Sequence, residues 1–219
     1  MAFTLRISPQ PGSVPVLPLG DSTTYGTGNG GLAYRPYLLA ALRPPYLVDL
    51  VGGQRSVASP TTEVDQDHSG VSGDFLSGMT TRVVTDIAAY RVRIVLVQGG
   101  INDIAVGASG PTVLDRLSDL LAAIYAADPT IATLVGSLPY ASSLSYAHDV
   151  ATFNRGIPNV VTARAALGQF VRSVDNSTGV TLSDGAVHPN DAGYQTIAQN
   201  WAVGLTGWVE AKAILNDPS

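Results

Sequence analysis

The sequence has no cysteine. Disulfides, thiolate metal ligands and a cysteine nucleophile are therefore excluded, and the fold must stand on its packed core. Lysine is nearly missing as well: of twelve basic residues only Lys212 is one, and the arginines form no run. Against 17 acidic residues and a formal charge of -5, no basic patch exists to meet a nucleic-acid backbone, so no nucleic-acid partner is expected. The three histidines, His68, His148 and His188, are far apart and form no His-x-x-His or His-Glu-x-x-His pattern. No metal is expected, and without a phosphate loop or dinucleotide glycine fingerprint no cofactor is expected either. No stretch approaches the roughly 20 apolar residues that span a bilayer, and residues 1–13 lack the apolar core of a secretory signal. The chain reads as soluble with no membrane partner, either cytoplasmic or secreted with its signal removed.

What is present is a folded globular composition, 45% hydrophobic with only 13% charged residues. A length of 219 residues suits one compact α/β domain, 1–219. The apolar run from Val14 to Leu19 ends in Gly20-Asp21-Ser22, as a buried strand meeting a turn does. Helical spacing over Tyr34–Leu42 stops at Pro44-Pro45, and Tyr46–Val51 reads as a second strand ended by Gly52-Gly53. Residues 54–73 are polar and glycine-containing, which predicts a long surface loop. A helix follows over Asp74–Tyr90. Arg93–Gln98 is apolar enough to be covered on both faces, as in a parallel sheet. Helix over Pro111–Ala127, strand over Thr130–Ser137, helix over Asp149–Leu167, strand over Phe170–Val174 and helix over Asp191–Val209 complete the alternation. Its expected outcome is an α/β three-layer α/β/α sandwich around a central parallel sheet, of flavodoxin-like type.

Functional groups in such sheets gather at the carboxyl ends of strands. Three loops there carry polar residues with complementary chemistry. Gly20-Asp21-Ser22 presents a serine after the first strand. Gly100-Ile101-Asn102-Asp103 follows the most apolar strand, where an asparagine NH2 can face a developing oxyanion. Asp184-Gly185-Ala186-Val187-His188-Pro189-Asn190 precedes the last helix, where His188 can take a serine proton and Asp184 can hold the imidazole. Each loop alone is an ordinary turn with local caps, Asn190 being a natural N-cap. Their combination and order carry the signal.

That set, with Ser72-Gly73-Asp74 between its first and second members, resembles the SGNH (GDSL-like) hydrolase superfamily over nearly the whole chain. Further stretches are similar to the acetyl xylan esterases of carbohydrate esterase family 3: Tyr34-Arg35-Pro36-Tyr37-Leu38, Val48-Asp49-Leu50-Val51-Gly52, Asp67-His68-Ser69-Gly70-Val71-Ser72-Gly73 and His188-Pro189-Asn190-Asp191-Ala192-Gly193-Tyr194. The resemblance implies a serine carboxylic ester hydrolase. Ser22 is then the nucleophile and His188 the base. The N–H groups of Ser22 and Gly73 and the side chain of Asn102 form the oxyanion hole. The family usually places its acid three residues before the histidine, whereas Asp184 stands four before His188; either Asp184 still reaches the ring or a Ser-His dyad operates. Asp21 and Asp103 are expected to fix loop geometry, Arg35 to be structural, His148 to lie at the surface, and His68 to be a surface residue or to line the pocket.

The absence of a long insertion that would build a lid or acyl tunnel points to short acyl groups. The partner expected is a small-molecule or carbohydrate ester, with O-acetyl groups on carbohydrate in first place. An arylesterase, lysophospholipase or thioesterase on the same scaffold, or a carbohydrate-binding module that has lost catalysis, are the competing readings.

Overall fold

A computed structural model describes residues 13–42, 48–56, 65–183 and 186–209. Seven strands, β1 (Val14–Gly20), β2 (Val48–Leu50), β3 (Gln54–Arg55), β4 (Asp67–Gly70), β5 (Ile94–Gln98), β6 (Ala132–Gly136) and β7 (Phe170–Val174), form one sheet. Its order is β3-β4-β1-β5-β6-β7, with β2 also paired to β1. Every pairing is parallel except β3 with β4. One edge of β1 is divided: β2 occupies its start, Val14 to Val16, and β4 its end, Leu19 and Gly20. Gly52 sits at the changeover, with φ +154° and no room for a Cβ, which would stand 2.2 Å from the His68 carbonyl carbon.

The helices are α1 (Ser22–Tyr25), α2 (Arg35–Leu42), α3 (Leu76–Tyr90), α4 (Ile101–Ala105), α5 (Gly110–Ala127), α6 (Ala147–Ala165) and α7 (Asp191–Val209). Strand side chains alternate between faces, and the core divides accordingly. Leu17, Leu19, Val95, Val97 and Val135 pack beneath α3, α5 and α6. Val14, Val16, Ile94, Leu96, Ala132 and Leu134 pack beneath α2 and α7. This is the three-layer sandwich that the alternation predicts. Among the described residues no helix is long and apolar enough to cross a membrane.

Two expectations change. Residues 54–56 and 65–73, expected within a surface loop, do not form one: they hold β3 and β4, and His68, Ser69 and Gly70 are buried, while residues 57–64 lie outside the described ones. Polar composition concealed the strand, because its buried polar groups are satisfied by partners distant in sequence. The strand expected over Tyr46–Val51 is observed as Val48–Leu50, with residues 43–47 outside the described ones.

The largest fully buried side chain, Trp201 on α7, stands against Gly136 and tilts against Tyr34 at 6.2 Å between ring centroids. Truncation to Trp201→Ala is expected to lower the unfolding free energy by about 3–5 kcal/mol, the usual range for emptying a large aromatic site. Urea titration followed by circular dichroism measures it.

Candidate active site

The first strand delivers its loop at a crowded corner. A Cβ on Gly20 would lie 2.2 Å from Thr24 Oγ1 and 2.4 Å from the Gln98 carbonyl oxygen, so only glycine lets α1 fold back over the junction of β1 and β5. Asp21 caps α1 by accepting from the Thr23 N–H at 3.0 Å. Ser22, the first helical residue, is 5% exposed. Its Oγ lies 3.1 Å from Nε2 of His188, a residue 166 positions away. The fully buried Arg35 donates to the carbonyls of Thr24 and Gly31, each at 2.5 Å, and so spans the loop that follows α1. Burial lowers its pKa to about 10, which leaves it protonated at neutral pH.

The second loop is fastened to the first. Val71 N–H donates to the Gly20 carbonyl at 3.1 Å, and the chain then turns through Gly73 at φ +80°. Arg82 on α3 donates to the Gly20 carbonyl at 3.3 Å, to the Ser69 carbonyl at 3.1 Å and to Ser69 Oγ at 3.2 Å, and it pairs with Asp74. The third loop is fastened to the second. Asn102 Nδ2 donates to the Asp74 carbonyl at 2.9 Å. The buried carboxylate of Asp103 accepts from Leu76 N–H at 3.0 Å and from Arg116 at 2.6 Å.

The fourth loop carries His188. The His188 carbonyl accepts from Ser183 N–H at 2.8 Å and Ser183 Oγ at 3.1 Å, while Leu182 and Pro189 form an antiparallel bridge. Asn190 caps α7 by accepting from Gly193 N–H at 2.9 Å. The loop rests on the glycine-rich segment after α1: a Cβ on Gly28 would stand 2.5 Å from the Pro189 carbonyl, and Tyr194 OH donates to the Thr27 carbonyl at 2.7 Å.

Ser22 and His188 are thus in contact, and the segments bearing Gly73 and Asn102 are cross-braced to one another and to the end of β1. Asp184 lies outside the described residues. Asp21, Asp103 and Arg35 hold loops together, and His148 is exposed. His68 departs from both of its expected places: it is fully buried in β4. Its Nδ1 accepts from Gly70 N–H at 2.9 Å, which leaves the proton on Nε2, 2.8 Å from Ser56 Oγ. Burial, then the charges of Arg35 and Arg82, lower its pKa to about 3. Asp21 moves the other way: burial raises its carboxyl to about 6, against the Thr23 N–H and the charge of His188. Arg82 was not singled out from sequence, where nothing distinguishes it from other arginines on helix surfaces. Among the described residues no group of three or more His, Asp or Glu is arranged to hold a metal.

A family model described as the GDSL-like Lipase/Acylhydrolase family matches residues 19–196. A multidomain esterase of Ruminococcus flavefaciens is 27% identical over 94% of this chain, which spans 30% of that protein's length. A family 3 carbohydrate esterase of Clostridium thermocellum superposes with a TM-score of 0.79 at 26% identity, over 92% of this chain and 99% of that one. A carbohydrate esterase of family 3 from Talaromyces cellulolyticus gives 0.78 at 26% identity, over 90% of this chain and 99% of that one.

His68 and Asp21, both buried, make opposite contributions to stability. Unfolded, His68 takes up a proton near pH 6.5, whereas folded it stays neutral down to about 3; stability from this site falls as pH drops from 6.5, by up to roughly 5 kcal/mol. Asp21 keeps its proton up to about 6 when folded but only to about 3.8 when unfolded; its contribution falls as pH rises from 3.8 to 6, by roughly 3 kcal/mol. Relative to wild type, unfolding free energies between pH 4 and 7 are expected to rise less steeply with pH in His68→Gln and more steeply in Asp21→Asn. Parallel curves for all three proteins would refute both assignments.

Proposed function

The chain belongs to the GDSL-like lipase/acylhydrolase family and is a carboxylic ester hydrolase, and from that premise we propose that it removes short acyl groups, O-acetyl on carbohydrate foremost, through a covalent Ser22 intermediate. The observation that carries this reading is the contact between Ser22 Oγ and His188 Nε2, at 3.1 Å, within hydrogen-bond reach for proton transfer. Support for the acetyl-carbohydrate assignment comes from the likeness to family 3 carbohydrate esterases along almost the full length of each.

In the proposed cycle His188 Nε2 takes the hydroxyl proton as Ser22 Oγ attacks the ester carbonyl carbon. The carbonyl oxygen becomes an anion facing the N–H groups of Ser22 and Gly73 and the NH2 of Asn102. An amide NH2 offers two N–H bonds, and the one that Asn102 gives to the Asp74 carbonyl holds the other in a fixed direction. The tetrahedral intermediate collapses, the C–O bond to the alcohol breaks, and His188 returns the proton to the departing alkoxide oxygen. Water then attacks the acyl-enzyme with His188 again as base, which releases the carboxylic acid and restores Ser22. Asp184 is assigned the orientation of the imidazole, with a Ser-His dyad as the alternative that its four-residue spacing leaves.

Ser22→Ala is expected to abolish hydrolysis of p-nitrophenyl acetate without changing the circular dichroism spectrum. Asn102→Ala is expected to lower kcat about 100- to 1,000-fold, as loss of one oxyanion donor does. Rates on acetate, butyrate and octanoate esters are expected to fall with chain length. An octanoate preference would overturn the short-acyl reading, and a loss for Asp184→Ala as complete as for Ser22→Ala would exclude the dyad.

A further inference from the structure

Beside the Ser22–His188 pair lies an open cavity of about 580 Å³, lined by Tyr25, Thr27, Arg55, Ser56 and glycines of the 26–31 segment. Its size falls within the roughly 300–1,000 Å³ of small-molecule sites. It is built on residues that the proposed reaction does not use.

Tyr25 is one helical turn after Ser22, so the two side chains leave α1 on neighbouring lines. Tyr25 is 44% exposed. The ring is nonetheless held: it stands edge-on to buried His68, with centroids 6.1 Å apart and planes at 80°. Behind it His68 bonds Ser56 Oγ at 2.8 Å, and Ser56 Oγ donates to the Tyr25 carbonyl at 3.4 Å. This explains why a neutral histidine is buried there. Its Nδ1 holds the β4 backbone and its Nε2 proton holds the cavity wall. Gly28, also in the lining, packs directly against the loop of His188. The cavity therefore shares one wall with the helix of Ser22 and another with the support of His188.

The lining has a particular chemistry. One aromatic residue is partly exposed to solvent, and Thr27 and Arg55 add a hydroxyl and a planar set of N–H donors. Among the described residues Arg55 makes a long ion pair to Asp67, at 3.9 Å. A fatty chain would bury none of these polar groups well. A sugar ring suits them, since its C–H face packs on an aromatic ring while its hydroxyls bond around the rim.

Resting on the esterase reading above, we propose that this cavity binds the sugar ring of the departing alcohol, stacked on Tyr25, and so selects O-acylated saccharides over simple esters. Tyr25 is then a specificity-determining residue for the leaving group and has no part in bond breaking.

The experiment compares kcat/KM on acetylated xylotetraose with kcat/KM on p-nitrophenyl acetate for wild type, Tyr25→Ala, Tyr25→Trp and Gly30→Asn. Gly30 belongs to the lining of the cavity and has φ +70° with open space around a would-be Cβ; asparagine tolerates that backbone and adds a side chain to the lining. The saccharide-to-simple-ester ratio is expected to fall at least tenfold in Tyr25→Ala and Gly30→Asn and to be kept in Tyr25→Trp. Calorimetric titration of acetylated xylotetraose into Ser22→Ala, alone and combined with each change, is expected to show the same order of affinities. Ratios and affinities unchanged in both Tyr25→Ala and Gly30→Asn would overturn the sugar site while leaving Ser22-dependent ester hydrolysis standing. Absence of Ser22-dependent turnover on p-nitrophenyl acetate would strike the esterase reading itself, and the binding titration would still decide whether a saccharide occupies the cavity. Should Tyr25→Ala not fold, Gly30→Asn and the titration decide alone.

Discussion

The carbonyl of Gly20 accepts from both the Val71 N–H and the Arg82 guanidinium, and this pair of bonds ties the serine loop to the turn that carries Gly73. Arg82 extends the tie to Ser69 and Asp74, and the Asp74 carbonyl in turn receives the side chain of Asn102. Three loops that leave three different strands are thereby referred to one backbone oxygen. Electrostatic stabilisation of a transition state requires donors fixed before the charge develops, and here the fixing is done by hydrogen bonds rather than by a covalent link, which a chain without cysteine cannot form.

The supports are buried, and their burial has energetic consequences. Arg35 and His68 are both fully enclosed and differ in how they meet the cost of desolvation. Arg35 keeps its charge and satisfies it with two carbonyls. His68 gives up its charge and uses both ring nitrogens as neutral partners. Desolvation lowers the pKa of each, but arginine starts so high that it remains ionised. Lysine at position 35 would have lacked the planar fork that reaches two carbonyls at once.

The fold was largely legible because its strongest signals are local. Ile94, Val95, Leu96 and Val97 form an unbroken apolar run that only a doubly covered strand accommodates, and α5, α6 and α7 show helical spacing over many residues. What escaped was short or polar. The helices α1 and α4, four and five residues long, carry too little periodicity to separate from turns. Asp67-His68-Ser69-Gly70 reads as loop because its burial depends on Ser56, Arg82 and the edge of β1, none adjacent in sequence. The same distinction holds at the site. The order of Ser22, Gly73, Asn102 and His188 was legible as a pattern of residue types. The clamp at Arg82 was not, since proximity of residue 82 to residues 20, 69 and 74 exists only after the chain has folded.

The divided edge of β1 has a dynamic consequence. The strand that leads into Gly73 is registered on β1 by only Leu19↔Ser69 and Gly20↔Gly70, because β2 occupies the rest of that edge. Opening so short a ladder costs far less than unfolding the sheet, so this segment belongs to the low-energy end of native-state fluctuations. Such an opening carries the turn at Gly73 out of register with the serine loop. Arg82, bonded to both sides of the ladder, acts as the latch on that equilibrium.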